Sequence, residues 1–281
     1  MRKIKSYTGD AFQFHKKVLK AKKNKSTKSI VSGLEEVIKT QFECYDTCFA
    51  NDTLHNLEAA DVTTTQKTAL LDLYSFNMKP FQELLIELTT DENNRVSKLC
   101  PNCTINNVQS LDHCIPKTEF PEYSDNPKNL MQCCMTCNGK KSSIWRTDST
   151  RTFLNLFIDE IPNSQFLYVE GELIDWIPVF NFKLEQPEGM DDLMYARIER
   201  HYIGLDLLNR FADNSSDVID ELSFSIKSLF NNHISKDQIR DAVISSALML
   251  QRKFGRNYWK SLLHIECVSN EQIFNSILII P

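Results

Sequence analysis

The sequence predicts an α+β protein, mostly α-helical, with a small central β-loop-β-helix unit between helical N- and C-terminal regions. Two observations carry this. Apolar residues recur at helical spacing on both sides of the middle of the chain. Between them, residues 100–141 hold two Cys-x-x-Cys pairs, CPNC and CMTC, separated by short apolar runs and a proline-containing loop. A hairpin pattern at residues 163–182 adds two further strands.

Taken in order, residues 1–30 read as a basic arm. Arg2, Lys3, Lys5, Lys16, Lys17, Lys20, Lys22, Lys23, Lys25 and Lys28 stand against Asp10 alone, so this segment carries +9 of a net charge of −5 and leaves −14 on the rest. Such asymmetry suits either a nucleic-acid arm on an acidic body or a solvated linker. Residues 31–95 read as a helical region. Ser32 and Glu35 form a capping-box pattern ahead of Leu34, Val37, Ile38 and Phe42. Cys44 and Cys48, four apart, are expected in core packing. Residues 65–88 give a helical pair interrupted near Pro80, and the polar residues 91–98 form a linker.

Residues 96–148 form the central domain. Four thiolates in two Cys-x-x-Cys pairs, here Cys100, Cys103, Cys134 and Cys137, close a tetrahedral site around one Zn²⁺ with Zn–S of ~2.3 Å and no open position. Such a site is structural, so any chemistry lies in what the zinc holds together. Residues 108–111 form a short strand delivering Asp112 and His113. Pro116, Pro121 and Pro127 make a loop, Leu130 and Met131 restart a strand, and a helix from Cys137 carries Asn138, Lys140 and Lys141. Residues 149–281 are expected to form the hairpin and then helices from residue 190. A capping box at Ser235 and Gln238 opens one helix, which Gly255 ends, and Ser269 with Gln272 starts the last.

At 281 residues the chain has room for one or two domains beside the zinc unit. No apolar run reaches the ~18 residues of a membrane span, and the N-terminus lacks an apolar export core, so the expected compartment is the cytoplasm. There four cysteines at metal spacing favour zinc over disulfides, and Cys44, Cys48, Cys114, Cys133 and Cys267 are expected as free thiols. No Gly-rich phosphate loop is present, so any nucleotide sensing belongs to another chain. His15, His201, His233 and His264 lack partner spacing, and Trp145, Trp176 and Trp259 are expected in the core.

Residues 99–145 resemble the ββα-metal (His-Me finger) fold of HNH endonucleases, in the zinc-ribbon subtype with the pattern DH-x-x-P…NL-x-x-x-C-x-x-C-N-x-x-K. Here the pattern is met by Asp112, His113, Pro116, Asn129, Leu130, Cys134, Cys137, Asn138 and Lys141. The resemblance implies a metal-dependent DNA endonuclease. In it His113 is the general base, Asp112 and Asn138 hold a catalytic Mg²⁺ or Mn²⁺, and Asn129 orients the loop bearing His113. Neutral imidazole accepts a proton at cellular pH, and hard oxygen donors suit these ions. Many family members carry His where Asn138 stands, and often another where Ser142 stands, so this sequence shifts the expected ion towards Mg²⁺. Lys140, Lys141 and Arg146 are expected on phosphates. The segment YIGLDLLNR resembles sequences that follow the nuclease in some HNH proteins of prokaryotic antiphage defence. Acting alone such an enzyme would serve restriction or a mobile element, and acting with a partner it would be the effector of a defence complex. The acidic helical flanks, which dock a protein more readily than duplex DNA, favour the second, with a partner such as an ATPase or sensor subunit. The alternative is a non-catalytic zinc-ribbon adaptor in a larger assembly.

Overall fold

The structure is a computed structural model that describes residues 1, 3–91, 93–147 and 150–279. Its first elements depart from the sequence reading. Most of the expected basic arm folds into two helices, α1 (Ala11–Ala21) and α2 (Lys25–Ser32). Each opens on a side-chain cap: the Asp10 carboxylate accepts from the Phe12 and Gln13 amides, and Asn24 does the same for Ser26 and Thr27. The reason is a stripe hidden among the lysines. Ala11, Phe14 and Val18 fall on one face of α1 and are buried. The lysines are drawn onto neighbouring acids, Lys16 on Glu35 at 3.0 Å, Lys17 on Glu83 at 2.5 Å and Lys22 on Asp72 at 3.1 Å. Arg2 of the expected arm lies outside the described residues, as do Glu92, Asp148 and Ser149 of the expected connectors.

Helix α3 (Glu35–Ala50) follows after a break at Gly33 and Leu34. Ser32 is therefore the last residue of α2 and not the cap of α3, which has no side-chain cap. A capping box does open α4 (Thr64–Leu73), from Thr63 and Gln66. Pro80 stands in the first turn of α5 (Lys79–Thr89), where its missing N–H breaks no helical hydrogen bond.

The central hairpin pairs β1 (Ser110–His113) with β2 (Leu130–Cys133) antiparallel, in the register Ser110 with Cys133 through His113 with Leu130. Helix α6 (Met135–Lys141) follows directly, so the β-loop-β-helix order is as expected. Leu111, Ile115, Phe120, Tyr123, Leu130 and Trp145 of this segment share one apolar core with Phe14, Val18, Ile38, Phe42, Tyr45, Leu70 and Phe81 of the helices. Residues 30/31 and 95/96 are thus not domain boundaries. The chain divides into Lys3–Glu160 and Ile161–Pro281.

The second unit begins with a hairpin, β3 (Leu167–Ile174) and β4 (Ile177–Leu184), turning at Asp175 and Trp176 with φ of 50° and 67°. That turn puts Trp176 on the surface at 76% exposure, against its expected place in the core. Helices α7 (Asp192–Gly204), α8 (Leu207–Asp213), α9 (Ser215–Asn231), α10 (Lys236–Phe254), α11 (Trp259–Ser269) and α12 (Glu271–Ile279) complete it. Ser235 and Gln238 form the expected capping box and Gly255 ends α10, whereas Ser269 ends α11 and does not start α12. Among the described residues no helix is long and apolar enough to cross a membrane. The architecture is α+β and mostly helical, with two small antiparallel sheets among the described residues.

Candidate metal centre and catalytic site

The first Cys-x-x-Cys pair is shaped by its own turn. The Thr104 amide donates to the Cys100 carbonyl at 2.8 Å, and Thr104 adopts a φ of 53°. The second pair straddles the start of α6, where the Cys134 sulfur accepts from the Cys137 amide at 3.4 Å. The Cys103 sulfur likewise accepts from the Ile105 amide at 3.5 Å. The ligand atoms of Cys100, Cys103, Cys134 and Cys137 lie within 4.8 Å of one another and all four residues are buried. Cys103 and Cys134 sulfurs are 3.9 Å apart. Zn–S bonds of ~2.3 Å in a tetrahedron require about 3.8 Å between sulfurs, so the tetrad fits a zinc ion. Cys134, not Cys133, completes it; the Cys133 sulfur instead accepts from the Asn102 side chain at 3.4 Å. Mutual hydrogen bonding among the thiols pulls Cys100 down and pushes Cys137 up, a conflict that a bound cation would relieve.

Successive strand residues face opposite ways, and β1 uses both faces. Ser110 and Asp112 face α6. The Asn138 side-chain amide donates to the Ser110 hydroxyl at 3.1 Å, and the Lys141 ammonium lies 3.3 Å from an Asp112 carboxylate oxygen. Lys141 also donates to the His113 carbonyl at 2.7 Å. It is buried, not displayed towards a phosphate as the sequence reading expects. Burial lifts the Asp112 carboxyl above its ordinary range, with Lys141 pulling the other way. Of the other expected phosphate contacts, Lys140 is exposed. Arg146 is engaged with Glu119 at 2.9 Å and the His55 carbonyl at 3.0 Å, and its guanidinium stacks on Trp145.

On the opposite face, His113 Nε2 meets the Ser124 carbonyl at 2.9 Å. A carbonyl only accepts, so Nε2 carries the proton and Nδ1 is left with its lone pair. Tyr74 packs edge-on against this imidazole, ring centroids 4.6 Å apart, and its hydroxyl donates to the Leu111 carbonyl at 2.7 Å. The half-buried Lys117 holds its ammonium 4.6 Å from the Tyr74 ring. Burial pushes the His113 pKa down to about 3, partly countered by the Ser124 bond, so the ring is neutral at cellular pH.

Asn129 ties the loop between the two strands. Its side-chain oxygen accepts from the Ile115 amide at 2.8 Å and from the Tyr45 hydroxyl at 3.3 Å. Its amide donates to the Ile115 carbonyl at 3.0 Å and the Tyr123 carbonyl at 3.3 Å. The loop that begins just after His113 is thereby fixed to the residue that ends it. Tyr74, Tyr45 and Lys117 were missed by the sequence reading. Lys117 had a signal, the position directly after DH-x-x-P; the two tyrosines had none, because Tyr45 lies on α3 and Tyr74 just past the end of α4, both far upstream.

Among curated proteins the chain resembles one from a phage. It is similar to protein ea31 of Escherichia phage lambda. The two are 24% identical over 239 residues, which cover 80% of each chain. Neither unit alone is that long, so the likeness runs through both. No family model matches the chain, and no solved structure matches it.

Donors for a second, hard ion are of the right kind but limited. Asp112 offers a carboxylate and Asn138 an amide oxygen, on one side of the hairpin, and the carboxylate already carries the Lys141 ammonium. Mg²⁺ commonly binds through one or two carboxylates, with waters and substrate phosphates filling the remaining positions. Among the described residues, the cysteine tetrad is the one group of three or more His, Cys, Asp or Glu side chains that converges in this way.

Proposed function

We propose that this protein is a metal-dependent endonuclease of the HNH type that hydrolyses DNA phosphodiester bonds. The observation that carries the reading is His113. It stands at the end of β1 in a β-loop-β-helix unit closed by four cysteines, with Nε2 bonded to a backbone carbonyl and Nδ1 left as the acceptor. An imidazole so oriented takes a proton from water attacking phosphorus. Asn129 holds the loop that keeps it there. A bound Mg²⁺ or Mn²⁺ would neutralise charge on the phosphate and the leaving oxygen, and Asp112 and Asn138 are the side chains that would hold it. A phosphate beside His113 would raise its pKa from the low value that burial imposes, because an anion favours the imidazolium.

In this reading the chain is the effector of an antiphage defence or restriction system and takes its trigger from a protein partner such as an ATPase or sensor subunit. A competing reading is a zinc adaptor without catalysis, and two contacts favour it: Lys141 on Asp112, and Tyr74 over His113. Supercoiled plasmid incubated with zinc-loaded protein and added Mg²⁺ or Mn²⁺ separates the two. Nicked circles that form with divalent ion and not with EDTA support the nuclease. DNA retained on the protein without nicking, at every metal concentration, supports the adaptor.

A further inference from the structure

We propose that His15 and Asp125 form a positioning pair that holds the Ser124 carbonyl on His113 and so fixes which imidazole nitrogen of His113 is free. The pair lies outside the expected catalytic residues and joins distant parts of the sequence. His15 is on α1 and Asp125 is in the loop between β1 and β2, and their Nδ1 and Oδ2 atoms are 2.8 Å apart. Both side chains are almost fully buried, at 2% and 0% exposure.

Packing fixes the His15 ring before any charge is considered. Phe12 stacks on it at 5.7 Å between centroids, and Phe42 meets it edge-on at 5.9 Å. Burial alone would lower the His15 pKa. The charge and hydrogen bond of Asp125, with Glu35 adding, outweigh burial and leave it raised. Among the described residues the second Asp125 oxygen has no hydrogen-bond partner, so His15 is the partner that anchors the side chain there.

Asp125 follows Ser124 directly, and that is where positioning enters. The Ser124 hydroxyl donates to the Pro121 carbonyl at 2.7 Å, and Asn126 accepts from the Lys128 amide at 3.0 Å. These local bonds shape the turn without tying it to anything beyond the loop. The Tyr123 hydroxyl on Gln41 and the Lys128 ammonium on Asp46, each at 2.8 Å, tie the residues on either side to α3, and the Asp125–His15 pair ties the residue next to Ser124 to α1. A loop free to shift by an ångström would carry the Ser124 carbonyl off Nε2, after which either ring nitrogen could hold the proton. A general base needs its free nitrogen fixed within tenths of an ångström.

The inference rests on His113 being the base, but its test needs neither DNA nor a catalytic ion. The zinc-loaded full chain is labelled with ¹⁵N-histidine and the His113 Nε2–H resonance is assigned by its loss in His113→Ala. Its exchange with solvent is then measured at pH 7 in His15→Phe and His15→Gln. Phenylalanine keeps the aromatic packing and removes the donor, and exchange should rise roughly tenfold or more as the carbonyl is released. Glutamine can still donate to Asp125 and should keep most of the protection. If His15→Phe fails to fold because Asp125 is left buried and unpaired, His15→Phe combined with Asp125→Ala removes that charge and should show the same fast exchange. Protection unchanged from wild type in the Phe variant, or in the double variant where the Phe variant does not fold, overturns the pair's role. A wild type that never nicks DNA would defeat the nuclease reading while leaving this measurement intact. Nicking with unchanged exchange would defeat the pair alone.

Discussion

Replacing Asn129 by Ala removes four hydrogen bonds at one fully buried position, to the Ile115 amide and carbonyl, the Tyr123 carbonyl and the Tyr45 hydroxyl. At about 1 kcal/mol net for each neutral bond, and with the longer Tyr45 bond shared with the Lys128 carbonyl, the loss comes to about 3 kcal/mol. The Ile115 amide and carbonyl would also be stranded without water, which adds about 1 kcal/mol or more. A total near 4 kcal/mol is a large part of the roughly 5–15 kcal/mol that holds a domain folded. The assay is zinc release to a chromophoric chelator as urea is raised, which reports on the unit that carries the tetrad. With a slope of about 2 kcal/mol per molar urea, the midpoint should fall by roughly 2 M. Tyr45→Phe, which removes a single hydroxyl, should shift it by about 0.5 M or less. A shift below about 0.5 M for Asn129→Ala would refute the reasoning, because the loop would then be held by something other than this amide.

Three further outcomes are expected. Cys134→Ser should bind no zinc by elemental analysis and lose the fold of the central unit, since the metal supplies folding energy there; full zinc content in that variant contradicts the tetrad. Lys141→Gln keeps a donor for the His113 carbonyl and removes a charge 3.3 Å from Asp112, a gross attraction of about 5 kcal/mol at an effective dielectric of 20. It should lower the Mn²⁺ concentration for half-maximal nicking more than tenfold, whereas Asn138→Ala should raise that concentration and Asn138→His should shift the preference from Mg²⁺ towards transition metals. An unchanged metal dependence in all three removes Asp112 and Asn138 as its ligands. The His15 pKa is raised in the fold, so its stabilisation is full below the ordinary value near ~6.5 and is lost as pH climbs through the folded value. The gap in urea midpoint between wild type and His15→Gln, with Asp125, Glu35 and Lys16 around the site, should shrink from pH 6 to pH 9; a constant gap rules out the charged pair.

What the sequence made legible was what short-range spacing encodes. Two Cys-x-x-Cys pairs name a tetrad whatever lies between them, and the apolar runs flanking the loop marked both strands to within two residues. Ser235 could be read as a cap because its partner Gln238 is three residues away. Ser32 matched the same pattern and failed, because the chain bends at Gly33 before α3 begins. The lysines of residues 1–30 hid Ala11, Phe14 and Val18, since net charge is counted over a segment and burial is decided on one face. Lys141 was misplaced for a different reason: a lysine on a helix reads as a surface charge unless the buried carboxylate it meets, here Asp112, is known. His15 and Asp125 are 110 residues apart, and no local pattern connects them.

The central claim is that His113 removes a proton from the attacking water. The direct measurement is the nicking rate of supercoiled plasmid in Mg²⁺ or Mn²⁺ by wild type and His113→Ala, both shown by elemental analysis to hold one zinc and by circular dichroism to be equally folded. Wild type should nick, and the variant should lose about 10²-fold or more, the scale of a missing general base. A His113→Ala protein that keeps its zinc and cuts as fast as wild type would contradict the claim.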